Sequence, residues 1–166
     1  RPNTQHTTDK IQTLLYLGNL EGRKNIETMK RAFDLVRKKL KDKRLRLLLV
    51  GPPHRPVSSA ERIAFYQEAS VFVYPSVFEG FGLPPLEAMK CGVPVITSNT
   101  SSLPEAVGDS ALMVNPHRAY ELAQGMEALL TDEHLRNFSI KKGIERASQF
   151  TWHKTAKETL ATLMSL

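Results

Sequence analysis

Two glutamates eight residues apart, Glu79 and Glu87, flank a loop that contains Gly80 and Gly82. A short apolar run at 71–75 precedes the loop, and prolines follow it where a helix is predicted to begin. Free N–H groups and the dipole of a helix N-terminus favour an anion such as phosphate. Carboxylates repel phosphate but accept hydrogen bonds from vicinal hydroxyls. The combination predicts a phosphate in the middle with polyols on either side, as in a nucleoside diphosphate sugar.

The same residues have a plainer interpretation. Glu79 could be a solvated loop residue, and Glu87 could lie on the surface of a helix, where most glutamates are found. The glycines, the prolines and the preceding apolar run occur together, however, and this combination favours the ligand site over two unrelated surface carboxylates.

Strands and helices alternate along the chain. Short, β-branched apolar runs are typical of buried parallel strands, and helical periodicity lies between them. The strands are predicted at residues 13–17, 45–50, 71–74, 93–97 and 111–114. The helices are predicted at about 26–41, 58–69, 83–90, 102–108, 119–130 and 132–150, with a last one from 151 to the C-terminus.

Polar residues at the predicted helix starts serve as candidate caps. Ser58 and Ser102 each begin a capping-box pattern, with a glutamate three residues later. Asn25, Thr131 and Thr151 are predicted to cap the helices that follow them. Gly92 is predicted to end the helix that starts after Gly82, which places the whole motif on one strand–loop–helix unit.

Alternating strands and helices predict an α/β, Rossmann-like three-layer sandwich with a central parallel sheet. Residues 1–10 are polar and aperiodic, which indicates a linker or a disordered start. Residues 11–150 form the predicted nucleotide-sugar-binding domain, and 151–166 form a C-terminal helix. Ligands of such sheets bind at the carboxyl ends of the strands, where the loops at 18–25, 51–55, 76–83 and 98–102 lie. The absence of a G-x-G-x-x-G sequence argues against a nicotinamide enzyme.

A chain of 166 residues is long enough for one domain with its own core. Its net charge of +6 suits an anionic ligand, although a dense basic run at 37–46 supplies much of it. That run is interpreted as a solvated helix end, with an anionic membrane surface as the alternative. No aromatic residues interleave with it, so nucleic acid is not expected as a partner.

Cysteine and histidine usage points away from disulfide and metal chemistry. The single cysteine, Cys91, excludes an internal disulfide and is interpreted as a packing residue. The five histidines have no ligand spacing, so no metal site is predicted. No run is apolar and long enough to span a membrane, and no signal peptide is recognised. The chain is therefore expected to be cytoplasmic.

The stretch from Glu79 to Glu87 resembles the E-x7-E motif of retaining glycosyltransferases with the GT-B architecture. This is the glycosyl transferases group 1 family, which includes bacterial mannosyl- and glucosyltransferases. The resemblance covers most of the chain from about Thr13 onward. Its matching blocks occur in order at residues 74–76, 79–89, 92–96, 102–105 and 150–152.

The resemblance implies a role for each matched residue of the motif. Glu79 matches a glutamate that contacts and orients the transferred sugar, and it is not assigned as a covalent nucleophile. Glu87 matches the glutamate that holds the ribose hydroxyls. Phe81, Gly82 and Leu83 match backbone positions near the sugar and the phosphate. Phe81 as a core residue and Gly82 as a turn residue remain open as alternatives.

Residues 18–20 and 23–25 resemble the first loop of the family, G-R-L followed by R-K-N. Lys24 matches a catalytic lysine that neutralises the diphosphate leaving group, so Lys24 and Glu79 are the predicted catalytic residues. Gly18 and Arg23 are predicted to bind the donor. Asn19 stands where the family has an arginine, and Arg23 is the candidate replacement. A solvated surface position is the alternative for both Lys24 and Arg23.

Two further departures from the family concern whole segments. The family has a helix and another strand after the loop at Gly51, whereas here Pro56-Val57 leads directly to the next helix. The GT-B architecture also has an N-terminal domain that binds the acceptor, and this chain resembles only the donor-binding half. In the family the last helix crosses back to that N-terminal domain.

The resemblance implies a transfer of a hexose, with retention, from a donor of the GDP-mannose or UDP-glucose type. The acceptor would be a glycan or lipid-linked glycan bound through the other domain, at the inner face of the membrane. No metal or cofactor is implied, and the fragment alone is expected to be inactive. Two alternatives remain: a non-catalytic nucleotide-sugar-binding module, and a basic module that associates with membrane or RNA.

Overall fold

Five parallel strands form one sheet in the computed structural model, which describes residues 11–20, 22–52 and 56–165. The strands are β1 (Gln12–Leu17), β2 (Leu45–Val50), β3 (Val71–Tyr74), β4 (Val95–Ser98) and β5 (Leu112–Val114). Their order in the sheet is β2-β1-β3-β4-β5. Every residue of β3 and β4 is buried, because helices cover both faces of a parallel sheet. The predicted α/β, Rossmann-like architecture is confirmed.

Seven α-helices connect the strands and close the chain within the described residues. They are α1 (Ile26–Leu40), α2 (Ser59–Glu68), α3 (Leu83–Lys90), α4 (Leu103–Val107), α5 (Ala119–Thr131), α6 (Glu133–Ser148) and α7 (Trp152–Met164). Helix α1 packs against α5, whereas α3 packs against α4 and α6. A 3₁₀ turn, Gly22–Lys24, precedes α1, and another, Gly108–Ser110, follows α4. Apart from these turns, the predicted elements are all present, with ends shifted by one or two residues.

The loops after β1 and β3 meet at the carboxyl edge of the sheet. From β1 the chain passes through α1 to β2 on one side, while β3 pairs with the other side of β1. Loops that leave neighbouring strands in opposite directions open a crevice between them, where such folds bind ligands. The two loops touch directly, because the Val77 N–H donates to the Arg23 carbonyl over 2.9 Å.

Two of the predicted caps are confirmed. Ser58 forms a full capping box with Glu61 at the start of α2, and the Thr151 side chain accepts from the Lys154 N–H at the start of α7. The prediction of Thr131 as the cap of α6 is wrong. Asp132 takes that position, because its carboxylate accepts from the Leu135 N–H over 2.9 Å, and Thr131 still belongs to α5.

The side chains of Asn25 and Ser102 do not cap helices, although both residues occupy N-cap positions. Asn25 lies in the left-handed region with φ of 60°. Its amide donates instead to the carbonyls of Pro75 at 3.2 Å and Pro116 at 2.5 Å. It therefore ties the start of α1 to the loops after β3 and β5. A capping pattern in the sequence cannot show that such a side chain has a distant partner.

The connection after β2 is short, as the sequence indicated. Strand β2 lies at the edge of the sheet, and α2 begins at Ser59. The described residues between them, Gly51–Pro52 and 56–58, form no strand. The predicted linker at 1–10, and residues 53–55 of the predicted loop, lie outside the described residues.

Helix α7 contacts the rest of the fold only weakly. None of its residues is buried, and the Trp152 side chain is 80% exposed. Four further residues of α7 that recur at near-helical spacing and could form an apolar face are exposed as well: Ala156, Leu160, Leu163 and Met164. That this face packs on another domain stays a prediction.

Candidate functional site

Lys24 is a buried cation beneath the meeting point of the two loops. The residue ends the 3₁₀ turn after β1 and is only 5% exposed. Its Nζ donates to the hydroxyl of Tyr74, at the end of β3, over 2.8 Å, and it also contacts the Glu79 carboxylate. A buried charge is tolerated only when it is paired and hydrogen-bonded. The alternative of a solvated surface lysine is therefore wrong.

Glu79 is held in place through both its side chain and its backbone. Its backbone N–H donates to Ser101 Oγ over 3.0 Å, and its carbonyl accepts from Ser102 Oγ over 2.9 Å. Burial by itself would raise the pKa of Glu79, but hydrogen bonds from Lys24 and Ser76 outweigh burial and hold the pKa below its usual value. The carboxylate therefore stays ionised beside the Lys24 ammonium at neutral pH.

Ser102 shows why its predicted capping box is wrong. Its hydroxyl is directed at the loop that carries Glu79, where it bonds the carbonyls of Glu79 and of Phe81, the latter at 3.0 Å. The preceding residue, Ser101, has φ of 53°. This backbone conformation is unfavourable for any residue other than glycine, and such residues are concentrated at functional sites. The start of α4 thus serves to fix the loop after β3.

Arg23 lies on the solvent side of the Lys24–Glu79 ion pair. Its guanidinium is half exposed and lies 3.9 Å from the Glu79 carboxylate. It also approaches the Phe78 carbonyl at 3.4 Å. The structure therefore places the second predicted cation beside Lys24 and Glu79. Its role as replacement for the arginine missing at Asn19 stays a prediction.

Gly18 and Gly51 let the ends of β1 and β2 approach closely. The Gly18 N–H donates to the Val50 carbonyl over 2.9 Å, and Gly51 has φ of 141°. A Cβ on Gly51 would lie 2.1 Å from the Gly18 carbonyl oxygen, so only glycine fits there. Beside them, the Tyr16 hydroxyl donates to the Asn19 carbonyl over 2.6 Å. Gly18 therefore lies at the carboxyl edge of the sheet, as predicted. It is next to Asn19, the position at which the family has an arginine.

Gly82 precedes α3 with φ of 114°, a conformation that favours glycine, and its contact with the donor stays a prediction. A Cβ there would also lie 2.9 Å from the Leu103 side chain, which shows close packing against α4. The prolines reduce the number of N–H groups that this helix start can offer to an anion. Pro84 and Pro85 have no N–H, so Gly82 and Leu83 are the remaining donors ahead of the second turn, together with the helix dipole.

Phe81 and Leu83 are surface residues rather than core residues. Phe81 is 43% exposed, and its ring meets the Phe150 ring edge-on at 5.7 Å. Both residues border a mainly apolar cavity between α3 and the junction of α6 and α7, whose lining includes Glu87 and Trp152. The predicted donor-binding residues Phe81, Leu83 and Glu87 therefore share one concave surface.

Glu87 has two partners that the sequence did not indicate. Tyr66 donates from its hydroxyl to Oε2 of Glu87 over 3.0 Å, and Arg62 lies 3.4 Å from Oε1. Both residues belong to α2. Burial, and secondly the charge of Glu87, raise the pKa of Tyr66, so its phenol keeps its proton. The Glu87 carboxylate is thus oriented by a hydrogen bond and an ion pair, and Glu87 is not an isolated surface residue.

A row of buried aromatic rings underlies these loops. Tyr16 stacks on Tyr74 with ring centres 5.6 Å apart, Tyr74 stacks on Phe72 at 5.8 Å, and Tyr66 meets Phe72 edge-on at 5.4 Å. The three tyrosine hydroxyls contact the Asn19 carbonyl, Lys24 and Glu87 in turn. Sequence reasoning missed them because an aromatic residue in a buried strand or on the covered face of a helix is predicted simply as core.

The described part of the chain contains neither a candidate metal site nor a candidate membrane-spanning helix. No cluster of three or more His, Cys, Asp or Glu side chains occurs there that could hold a metal ion. Among the described helices, none is long and apolar enough to cross a membrane. Cys91 packs half-buried against the core, and burial raises the pKa of its thiol, as expected for a packing residue.

A family model described as Glycosyl transferases group 1 matches residues 11–132 of the chain. This range is more than half of the chain, and it contains Lys24, Glu79 and Glu87. The match therefore covers the predicted catalytic pair and the second glutamate of the motif.

Curated relatives match over most of this chain but are considerably longer. O-antigen chain mannosyltransferase B from Escherichia coli is 34% identical over 170 residues, a match that covers 88% of this chain and 44% of the relative. A D-inositol 3-phosphate glycosyltransferase from Paenarthrobacter aurescens (strain TC1) is 28% identical over 185 residues, covering 96% of this chain and 44% of the relative. The chain spans less than half the length of these two proteins.

Solved structures agree with these relatives. Sucrose-phosphate synthase from Thermosynechococcus elongatus is 29% identical with a TM-score of 0.74, and the match covers 95% of this chain and 45% of that one. An α,α-trehalose-phosphate synthase (UDP-forming) from Burkholderia vietnamiensis has a TM-score of 0.84 at 12% identity, covering 93% and 45%. The second likeness shows the fold alone. Both confirm the predicted fold, a Rossmann-like domain that forms one half of a GT-B fold.

Proposed function

The chain belongs to the glycosyl transferases group 1 family, and we propose that it is the donor-binding half of a hexosyltransferase. One observation carries this proposal. A buried lysine, Lys24, is paired with Glu79 and Tyr74 where the loops after β1 and β3 meet. A buried ion pair at the ligand-binding edge of a parallel sheet is more readily explained by chemistry than by stability.

Lys24 is suited to stabilise the diphosphate that leaves with the nucleotide. An ammonium has three N–H donors, and in the described structure Tyr74 and Glu79 account for two of them. The third can bond a phosphate oxygen, and the charge would offset the negative charge that builds up as the bond to the sugar breaks. Arg23, 3.9 Å from Glu79, would add a second cation from the rim. These groups supply the positive charge, so the proposal includes no metal.

The two carboxylates are proposed to hold the two polyols of the donor. Glu79, ionised and fixed through Ser101 and Ser102, accepts hydrogen bonds from hydroxyls of the hexose and orients it. Glu87, on α3, accepts from the ribose hydroxyls. The protein thus contributes positioning and electrostatics, and we propose that the hexose is transferred with retention of its anomeric configuration.

The donor is proposed to be a nucleoside diphosphate hexose of the GDP-mannose or UDP-glucose type. The match to a mannosyltransferase over 88% of the chain supports a hexose. Relatives more than twice as long support a second domain in the complete enzyme, which would bind a glycan or lipid-linked glycan acceptor. That domain would also cover the exposed face of α7. Peripheral attachment at the inner face of a membrane belongs to the same proposal.

A thermal-shift panel tests the proposed function. Nucleoside diphosphates and their hexose derivatives are expected to raise the melting temperature, whereas free hexoses are expected to leave it unchanged. A ligand at one hundred times its Kd stabilises the fold by about 2.7 kcal/mol. Hexose transfer is not expected from this chain alone, because the proposed acceptor-binding domain would be needed to close over the reacting centre. Transfer at the rate of a two-domain positive control would contradict the assignment as a half-enzyme.

A further inference from the structure

Arg62 and Tyr66 lie four residues apart on α2, so their side chains emerge from one face of that helix. Both reach the carboxylate of Glu87, and they reach different oxygens. Arg62 Nη1 lies 3.4 Å from Oε1, and the Tyr66 hydroxyl lies 3.0 Å from Oε2. Helix α2 therefore holds the carboxylate from two sides.

Tyr66 is buried and closely packed, and its hydroxyl can act only as a donor toward the Glu87 carboxylate. The residue is 1% exposed, and its ring packs edge-on against Phe72 at 5.4 Å. Its hydroxyl has one proton, for which the Glu87 carboxylate and the Pro84 carbonyl, at 3.4 Å, are the nearby acceptors. The carboxylate is closer and charged, and charge-assisted hydrogen bonds are roughly twice as strong as neutral ones. The proton therefore goes to Glu87.

We propose that Tyr66 and Arg62 are positioning residues that orient Glu87 for the ribose of the donor. Each carboxylate oxygen can accept about two hydrogen bonds. With one on each oxygen taken by α2, the remaining two face outward as a matched pair for the 2′ and 3′ hydroxyls. The inference rests on the proposed function, since it names what holds the residue that binds the nucleoside.

Removal of either donor leaves the charge of Glu87 but releases its orientation. Tyr66→Phe and Arg62→Met are each expected to weaken UDP or GDP binding about threefold to tenfold, a loss that corresponds to roughly 0.7–1.4 kcal/mol. The same variants are expected to bind the 2′,3′-dideoxy nucleoside diphosphate as the unmodified chain does. That probe has no ribose hydroxyls for Glu87 to accept from.

An NMR titration of the chain with both probes, up to millimolar concentration, tests the inference. Tyr120→Phe, an exposed tyrosine on α5, and Arg37→Met, an exposed arginine on α1, are matched controls. Tyr66→Phe should add nothing to the loss in a Glu87→Gln background, because residues that act through one group are not additive. Arg62 is only partly buried, so its variant keeps the test valid if Tyr66→Phe does not fold.

Failure of the inference and failure of the proposed function give different results. Equal weakening of both probes by Tyr66→Phe and Arg62→Met would assign these residues a merely structural role and overturn the inference. Unchanged affinity for UDP and GDP in both variants would overturn it as well. If the unmodified chain binds no nucleoside diphosphate at all, the proposed function fails first, and the inference fails with it.

Discussion

Lys24 and Tyr74 are fifty residues apart in the chain, yet Lys24 Nζ donates to the Tyr74 hydroxyl over 2.8 Å. Tyr74 ends β3 and lies in the buried aromatic row, so its hydroxyl is a fixed point. Burial, and secondly the charge of Glu79, raise the pKa of Tyr74, which remains a neutral acceptor. The sheet thereby fixes a cation beneath the two loops, where a diphosphate would lie.

The Lys24→Gln variant should bind nucleoside diphosphates about tenfold more weakly, or worse, because a charge-assisted contact to phosphate is lost. Calorimetry or NMR titration with UDP and GDP measures this. Lys38→Gln, which removes the same charge from an exposed position on α1, is the control and should change little. Equal affinities in the two variants would show that Lys24 does not contact the phosphates.

Glu79→Gln and Glu87→Gln should have different effects on different ligands. The Glu87 variant should lose affinity for the nucleotide and the nucleotide sugar alike, because both contain ribose. The Glu79 variant should lose affinity for the nucleotide sugar alone. Each loss is expected to be about threefold or more, as for a hydrogen bond to a charged acceptor. Four affinities measured by calorimetry check this, and equal losses for both variants on both ligands would refute the division of roles.

An Asn19→Arg variant should strengthen diphosphate binding severalfold, on the order of 1 kcal/mol. It restores the cation that the resemblance places at this position, beside the close approach of Gly18 and Gly51. Arg23→Gln in the unmodified chain should weaken binding if Arg23 already supplies that charge. If Asn19→Arg gains nothing while Arg23→Gln loses affinity, Arg23 has replaced the missing arginine. If neither variant changes affinity, the cationic site is Lys24 alone.

The stability of the fold should depend on the ionisation of Glu79. Its pKa in the folded chain lies below the ordinary value of 4.5, so the carboxylate stabilises the fold above that value. The stabilisation is lost as the pH falls through the lower, folded-state pKa. The difference in unfolding free energy between the unmodified chain and Glu79→Gln should therefore shrink as the pH falls below 4.5. Denaturant melts at several pH values measure it, and a constant difference would contradict the Lys24–Glu79 pair.

The strands and helices were predictable because their signals are local. Continuous apolar runs at β3 and β4 are required by a sheet that is covered on both faces, and the capping box at Ser58 involves neighbours in sequence. The E-x7-E spacing likewise identified the loop and the helix start. Glu79 and Glu87 were found in this way, Lys24 was found through the resemblance of residues 23–25 to the family's first loop, and the structure brings Lys24 and Glu79 into contact.

Contacts between distant segments were not predictable. Asn25 and Ser102 carry cap signals, but their side chains bond loops 21 or more residues away. Tyr66 and Tyr74 have apolar rings with a polar tip, and only the fold shows that their hydroxyls meet Glu87 and Lys24. The sequence around such a residue does not indicate its partner, because the order of the strands in the sheet determines which distant residues become neighbours.

The most direct test of the central claim is an NMR titration of the isotope-labelled chain with GDP-mannose and UDP-glucose. The account predicts that one of them shifts amide signals in the loop around Lys24, in residues 79–83 and near Glu87, and that the matching nucleoside diphosphate competes. Free hexose should cause no such shifts. An absence of shifts at millimolar concentration, or shifts confined to the basic end of α1, would contradict the assignment of this edge of the sheet as a donor site.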